Sequence, residues 1–435
     1  MNPEKVQISI LLFSISFFCY FFLWLGLYKT GRNQILIQSE DAIPATYLPF
    51  SVIKGNGFYL DEYYNFFNKH WPNHENSPGK LFYLLEIPER GLASAFTVVA
   101  PVLALPFYLP ISTLGINYKS PLVPITAHFA ASFYVSLSVV FVYLILLAVT
   151  KKPKESLLAA IAYAFGSICF GLTSQSLWQH GINQMLLSLG TLLLIKNKPV
   201  SALAFSLAVF SRPPNIVFAI WACVYVLLKN RKTIISFLLW GLPPLILQLA
   251  YNALYLGGVF NYPYKDQQFV NWQGRFPEGF LGLLFSPSKG ILVISPIFIL
   301  SFIGVFRLWK SKGKTEFKLL SLSILALFLV MGKWIHWFGG WSFGYRMVSE
   351  SLPFLTIFLV FFLVDFYKFP RWRSIFYLLL AFSITMQLSS LFFDFREWHT
   401  IYDNGPYNTA WLWSIRDSMP IYFLRLALAK FSLSL

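Results

Sequence analysis

Cysteine is scarce in this chain, and so is charge. Its three cysteines, Cys19, Cys169 and Cys223, all fall inside apolar runs, which leaves neither a disulfide framework nor a metal-ligand spacing. Redox chemistry is thereby a poor reading. Charged residues make up 12% of the 435 residues and hydrophobic ones 57%, a balance no soluble domain of this size tolerates. The first apolar run, Val6 to Tyr28, has no small-residue cleavage pattern after it and is too long for a signal sequence, so it reads as a retained spanning helix. Between the apolar runs there is no polar stretch long enough on the basic side to form an ATP-binding domain.

What charge there is leans strongly basic: 34 Lys and Arg against 18 Asp and Glu, a net of +16. The excess sits in short loops between apolar runs, which argues for a membrane orientation signal and against nucleic acid as a partner. Eleven runs can span: 6 to 28, 124 to 149, 156 to 173, 183 to 195, 199 to 211, 214 to 228, 233 to 256, 290 to 306, 319 to 335, 352 to 367 and 374 to 392. On this reading the N-terminus and five loops share the cytoplasmic side with 17 basic and four acidic residues. A further apolar segment, Ala93 to Pro110, would invert every later loop if it crossed. It is therefore expected to be re-entrant or interfacial, with Pro101, Pro106 and Pro110 keeping it from being a straight helix.

The expected architecture is an all-α polytopic membrane protein in which residues 1–392 form one body. Residues 29–123 make a long first outer loop, 257–289 a second, and 393–435 an extracytoplasmic tail ending in an amphipathic interfacial stretch, Met419 to Leu435. The runs 183 to 195, 199 to 211 and 214 to 228 reach only about 20 Å against about 30 Å of hydrocarbon. The outer loops SQSLWQHG (174–181) and SRPPN (211–215) are then expected to dip inward, carrying His180 and Arg212 toward an outward-facing pocket; local thinning of the bilayer with a snorkelling Arg212 is the alternative. In LFSPSKGILVISP (284–296), Lys289 precedes a helix start whose free N–H groups favour anions. In KWIHWFGGWSFGYR (333–346), three glycines loosen the chain among Trp337, Trp341, Phe343 and Tyr345, and Arg346 closes the run; an interfacial aromatic belt is the competing reading of those rings. At the root of the first outer loop, in IQSEDAIPATYLPF (37–50), stand the adjacent acids Glu40 and Asp41. Asp61 and Glu62 are a second acidic pair that reads as a solvated turn or helix start, and Asp394 and Glu397 lie in the tail.

The stretches SEDAIPATYLPFSVIKGNGFYLDEY, FTVVAPVLALPFYLP, SQSLWQHG, SRPPN, GLLFSPSKGILVISP and GGWSFGYRMVSESLPFL, in that order over about residues 35 to 360, resemble bacterial GT-C glycosyltransferases. That superfamily includes the protein O-mannosyltransferases and the lipid A aminoarabinose transferase. The resemblance implies an enzyme of the plasma membrane that moves a sugar from a polyprenyl-phosphate carrier to an acceptor on the outer face: lipid A, another envelope glycan, or a protein. It maps the essential acid of the first outer loop onto Asp41, with Glu40 beside it; the Glu-Asp order here departs from the Asp-Glu of the mannosyltransferases and leaves the base open between the two. The chemistry needs a carboxylate to take the acceptor's proton and cations for the departing phosphate. Asp41 would be that base, Arg212, Lys289 and Arg346 the phosphate ligands, and His180 a ligand of phosphate or acceptor, with Trp341 and Tyr345 also lining the substrate site. One base opposite the leaving group implies inversion. No cofactor is expected, and a divalent cation between Glu40 and Asp41 stays an alternative. A transporter or flippase of lipid-linked glycans is the competing class, and a glycan polymerase or ligase the third.

Overall fold

The computed structural model describes residues 3–73, 79–263 and 272–432. Residues 74–78, 264–271 and 433–435, in the two expected outer loops and the tail, thus lie outside the described residues. The chain is a mostly helical, membrane-embedded protein, and among the described residues six helical stretches are long and apolar enough to cross a bilayer: Pro3–Lys29, Leu122–Thr150, Pro213–Tyr255, Thr315–Gly332, Arg346–Phe366 and Pro370–Phe392. The first contains α1 (Pro3–Phe17) and α2 (Leu23–Lys29), joined by a π-helical turn at Phe18–Phe22.

The described part of segment 29–123 folds into a compact unit. A 3-10 turn at Glu40–Ala42 leads into α3 (Ile43–Ile53), nearly every residue of which is buried. Beyond it come α4 (Tyr64–His70) and a small antiparallel ribbon of β1 (Leu84–Ile87) and β2 (Gly91–Ser94), a minor addition to a mostly helical chain. The ribbon uses Asp61, whose two carboxylate oxygens accept the Leu92 N–H at 3.1 Å each. Glu62 pairs with Lys54 at the surface. Both belong to loop architecture.

The proline-rich segment is helical. It is one continuous helix, α5 (Val99–Thr113), running through Pro106 and Pro110. Pro101 sits in its first turn, where a missing N–H costs little, and Tyr134 Oη donates to Leu103 O at 2.6 Å in the turn that Pro106 loosens. Its 15 residues are about 22 Å long. It packs on α3, where Tyr108 Oη donates to Thr46 O.

The body is a bundle. Helix α6 (Leu122–Thr150) buries a stripe of small residues, Ala127, Ala130, Ala131, Ser132 and Ser138 among them, which lets neighbours approach closely. It stops at Lys151, in left-handed backbone, and Pro153 opens α7 (Pro153–Phe165). There follow α8 (Gln179–Ile195), α9 (Ser201–Ser211), α10 (Ile216–Asn230) and α11 (Ile234–Tyr255). The apolar stretch Pro213–Tyr255 is therefore two helices, broken where Asn230 leaves helical backbone at φ −154°. Only 17% of its most apolar window is buried, so it forms the lipid-facing flank.

After α12 (Glu278–Phe285) and the single turn α13 (Ile291–Ile294) come α14 (Ile299–Lys310), α15 (Thr315–Gly332) and α16 (Leu352–Phe366). Helix α16 is the axis of the molecule: 89% of its window is buried, and α14 crosses it so closely that a Cβ on Gly304 would lie 2.0 Å from Phe358 O. Helix α17 (Pro370–Phe392) completes the bundle, and the tail carries α18 (Phe395–Tyr402) and α19 (Met419–Ser432). The tail is more than an interfacial appendage, because Phe395, Trp398, Leu412, Met419 and Phe423 are buried.

Candidate functional site

Several connections converge where segment 29–123 meets the bundle. Ser39 is extended and the chain then tightens into the turn at Glu40–Ala42, which turns the Asp41 side chain toward Arg346. The Asp41 Oδ2 to Arg346 Nη2 distance is 2.8 Å, and Ser39 Oγ donates to Asp41 Oδ1 at 3.1 Å. Arg346 opens a 3-10 turn at Arg346–Ser351 that leads into α16. It is reached through a loop in which Gly339, Gly340 and Gly344 have φ of +82°, +60° and +65°, backbone that side-chain-bearing residues rarely adopt. A Cβ on Gly339 would stand 2.8 Å from Arg346 Cγ, so the loop lies directly over the arginine.

The guanidinium of Arg346 stacks over the Trp178 ring at 4.8 Å. Among the described residues its Nε and Nη1 have no hydrogen-bond partner although both are buried, and the Trp178 indole N–H is equally unpartnered. Buried donors normally have acceptors. Three orphaned donors beside one another make a setting that lacks an anion. Next to them lies a small hollow lined by Asp41, Phe96, Thr97, Trp178, Gln179 and His180. Its volume of about 20 Å³ is room for roughly one water, so a larger ligand has to displace lining side chains or open the loop.

Behind the hollow is a buried ionic network. Glu350, with no exposed surface, accepts from Arg212 Nη1 at 2.6 Å through Oε2 and from His180 Nδ1 at 2.9 Å through Oε1. Arg212 Nη1 also donates to Met347 O at 3.0 Å. The segment 174–178 is buried throughout, with Gln175 bridging to His128.

The predicted site residues thus divide. Asp41, Arg346 and His180 come together at the hollow, and Arg212 stands behind it, held by Glu350. Glu40 is half-buried next to Asp41; burial raises its carboxyl pKa, the Asp41 charge adds to this, and the Arg346 charge opposes it. Lys289 is elsewhere occupied: its buried ammonium donates to the carbonyls of Ser342 and Gly340 and to His399 Nε2, so it ties the glycine loop to α18. Burial, with the Arg346 charge adding, holds its pKa well below the usual lysine range. Trp341 is 45% exposed and stacks on His399 at 5.6 Å. Tyr345 is interior, donating to Ser295 Oγ at 2.7 Å.

Sequence reasoning passed over Glu350, Trp178 and His336. The signal for Glu350 was an acid at the start of an apolar run, which inside a membrane protein asks for a partner. His336 lies in the same loop; burial lowers its pKa, with the Arg346 charge adding and that of Asp41 opposing. Among the described residues no group of three or more His, Cys, Asp or Glu is arranged to hold a metal ion. In comparisons with known proteins, no family model matches the chain and no curated relative is found.

Proposed function

We propose that this protein is an inverting, GT-C-like membrane glycosyltransferase that transfers a sugar from a polyprenyl-phosphate carrier to an acceptor of the cell envelope. The observation that carries the reading is the Asp41–Arg346 pair at 2.8 Å with the remaining Arg346 donors and the Trp178 N–H unpartnered beside it. A carboxylate next to unused cationic donors is what the transfer needs: one group for the acceptor hydroxyl, the other for the leaving phosphate.

In this mechanism the acceptor oxygen attacks the anomeric carbon, the bond from that carbon to the phosphate oxygen breaks, and its electron pair stays on polyprenyl phosphate. Arg346 Nε and Nη1 donate to the phosphate, the planar fork suiting such oxygens better than a point charge does. Asp41, with Glu40 as its neighbour, serves the acceptor hydroxyl from the other side and is the first candidate for its proton. Arg212 acts on this site through Glu350, Lys289 holds the loop that delivers Arg346, and the exposed Trp341 ring suits a sugar acceptor. The topology that accompanies this reading has eleven spans, the N-terminus in the cytoplasm and the site on the outer side of the plasma membrane, as the positive-inside rule requires. Counting the hairpin of α10 and α11 as two spans makes seven of the six long stretches, and the shorter helices α7, α8, α9 and α14 supply the other four.

Incubation of the purified protein with polyprenyl-phosphate hexoses and pentoses, with envelope extract as acceptor, tests the proposal. Sugar-dependent release of polyprenyl phosphate is expected; no release with any donor would refute it.

A further inference from the structure

We propose that Glu350 is a positioning residue that fixes the His180 imidazole in one tautomer, so that Nε2 faces the hollow as the base receiving the acceptor hydroxyl's proton. This rests on the transferase reading and reassigns one step within it, the proton transfer, from Asp41 to His180.

The tautomer follows from the partners. Glu350 is wholly buried and bound to the Arg212 guanidinium at 2.6 Å, which stabilises the ionised carboxylate. An ionised carboxylate only accepts hydrogen bonds. His180 Nδ1, 2.9 Å from Oε1, therefore carries the ring proton. Ser349 Oγ lies 3.2 Å from that nitrogen and 3.4 Å from Glu350 Oε2, so its own proton goes to the carboxylate and its lone pair faces the Nδ1–H. The frame around the ring is tight: a Cβ on Gly181 would meet Thr173 O at 2.7 Å, and Gln184 Nε2 donates to Ser349 O at 3.2 Å, fixing α8 against the turn that bears Glu350. With Nδ1 committed, the ring edge left for the hollow is the one bearing Nε2, as a bare lone pair, and His180 lines the same hollow as Asp41.

Asp41 is less free to take a proton. Its Oδ2 holds Arg346 and its Oδ1 holds Ser39. Its role becomes the orientation of the Arg346 fork and of the incoming hydroxyl. In the step, the hydroxyl oxygen bonds to the anomeric carbon, the carbon–phosphate oxygen bond breaks with its pair on the phosphate, and the hydroxyl proton moves to His180 Nε2. The imidazolium so formed is stabilised by Glu350, as an orienting carboxylate does in a catalytic triad, and later passes its proton to water or to the released phosphate.

The test uses the full-length protein in nanodiscs, a polyprenyl-phosphate hexose as donor and envelope extract as acceptor, together with nitrogen NMR of histidine-labelled protein. In wild type the His180 ring is expected with Nδ1 protonated and Nε2 bare. Glu350→Gln, whose amide donates toward Nδ1, should move the proton to Nε2 and lower kcat by about 100-fold or more, with the donor KM within about threefold. His180→Asn, which keeps a donor for Glu350 but lacks Nε2, should lose kcat equally without a lower melting temperature, and covers the case of a poorly folding Glu350→Gln. An Nε2-protonated ring in wild type, or kcat within threefold of wild type in a folded variant, overturns the assignment while leaving the transferase standing. A wild-type protein that transfers no sugar overturns both.

Discussion

Arg346 has five N–H donors and gives one nitrogen to Asp41, and its remaining ones decide what the site can hold. A carboxylate replaced by an amide still hydrogen-bonds the guanidinium but no longer balances its charge, so Asp41→Asn is expected to retain the fold while transfer falls at least about 100-fold. Arg346→Lys keeps a positive charge but loses the fork and the stacking on Trp178 at 4.8 Å; donor binding should weaken more in this variant than in Asp41→Asn. Binding of a fluorescent polyprenyl-phosphate sugar to both proteins checks the order, and equal weakening would remove Arg346 from the phosphate. Glu350 acts differently because it is wholly internal. Cutting it back to alanine would leave Arg212 as an uncompensated buried charge, a loss of roughly 3–5 kcal/mol.

Elements bring these side chains together by clamping a loop that has little structure of its own. The glycine-bearing stretch 339–344 is held at one end by Arg346 and in the middle by Lys289, whose third partner, His399, stands on α18 and contacts Asp403 through Nδ1 at 3.2 Å. Burial lowers the His399 pKa to about 4, with the Lys289 charge adding and the Asp403 hydrogen bond opposing. An unfolded histidine titrates near 6.5, so between pH 6.5 and 4 the unfolded state binds the proton and the folded one does not. The stabilisation is complete above pH 6.5 and is lost as pH falls, by about 3 kcal/mol at most. Protease resistance of the tail should therefore decline on acidification to pH 4, and His399→Gln should flatten that decline; an unchanged pH profile in the variant would refute the account. Apart from Glu350 and His336, the acids and bases of this site are legible one by one in the sequence, since each stands beside an apolar run. Their pairing is not. Lys289 reads as a free cation beside a helix start, and only the folded tail reveals three acceptors around it. Asp41 and Arg346 stand far apart in the chain, and no local periodicity reports on a contact of that range. The contacts of α5 with Thr46 on α3 and with Tyr134 on α6 were likewise hidden, because they join segments distant in the chain.

At the scale of the molecule, the proposed topology puts the site on the outer side of the membrane. A cysteine placed at Lys152, between α6 and α7, should be shielded from impermeant reagents added outside, whereas one at Glu89, in the turn between β1 and β2, should react; the reverse pattern would invert the topology. The bundle itself is layered, with α16 at its axis and the α10–α11 hairpin at its lipid-facing flank. Membrane character and most apolar runs are evident from composition, but among the described residues six helical stretches stand out by length and composition, and the shorter helices become recognisable only through their neighbours. The Asp41–Arg346 contact joins the segment after the first helix to the doorway of the innermost helix. A ribosome must therefore release most of the polypeptide before the two charges can meet, so a product that stops before Arg346 is expected to transfer no sugar, and co-expressing residues 346–435 as a separate chain offers a way to switch the site on.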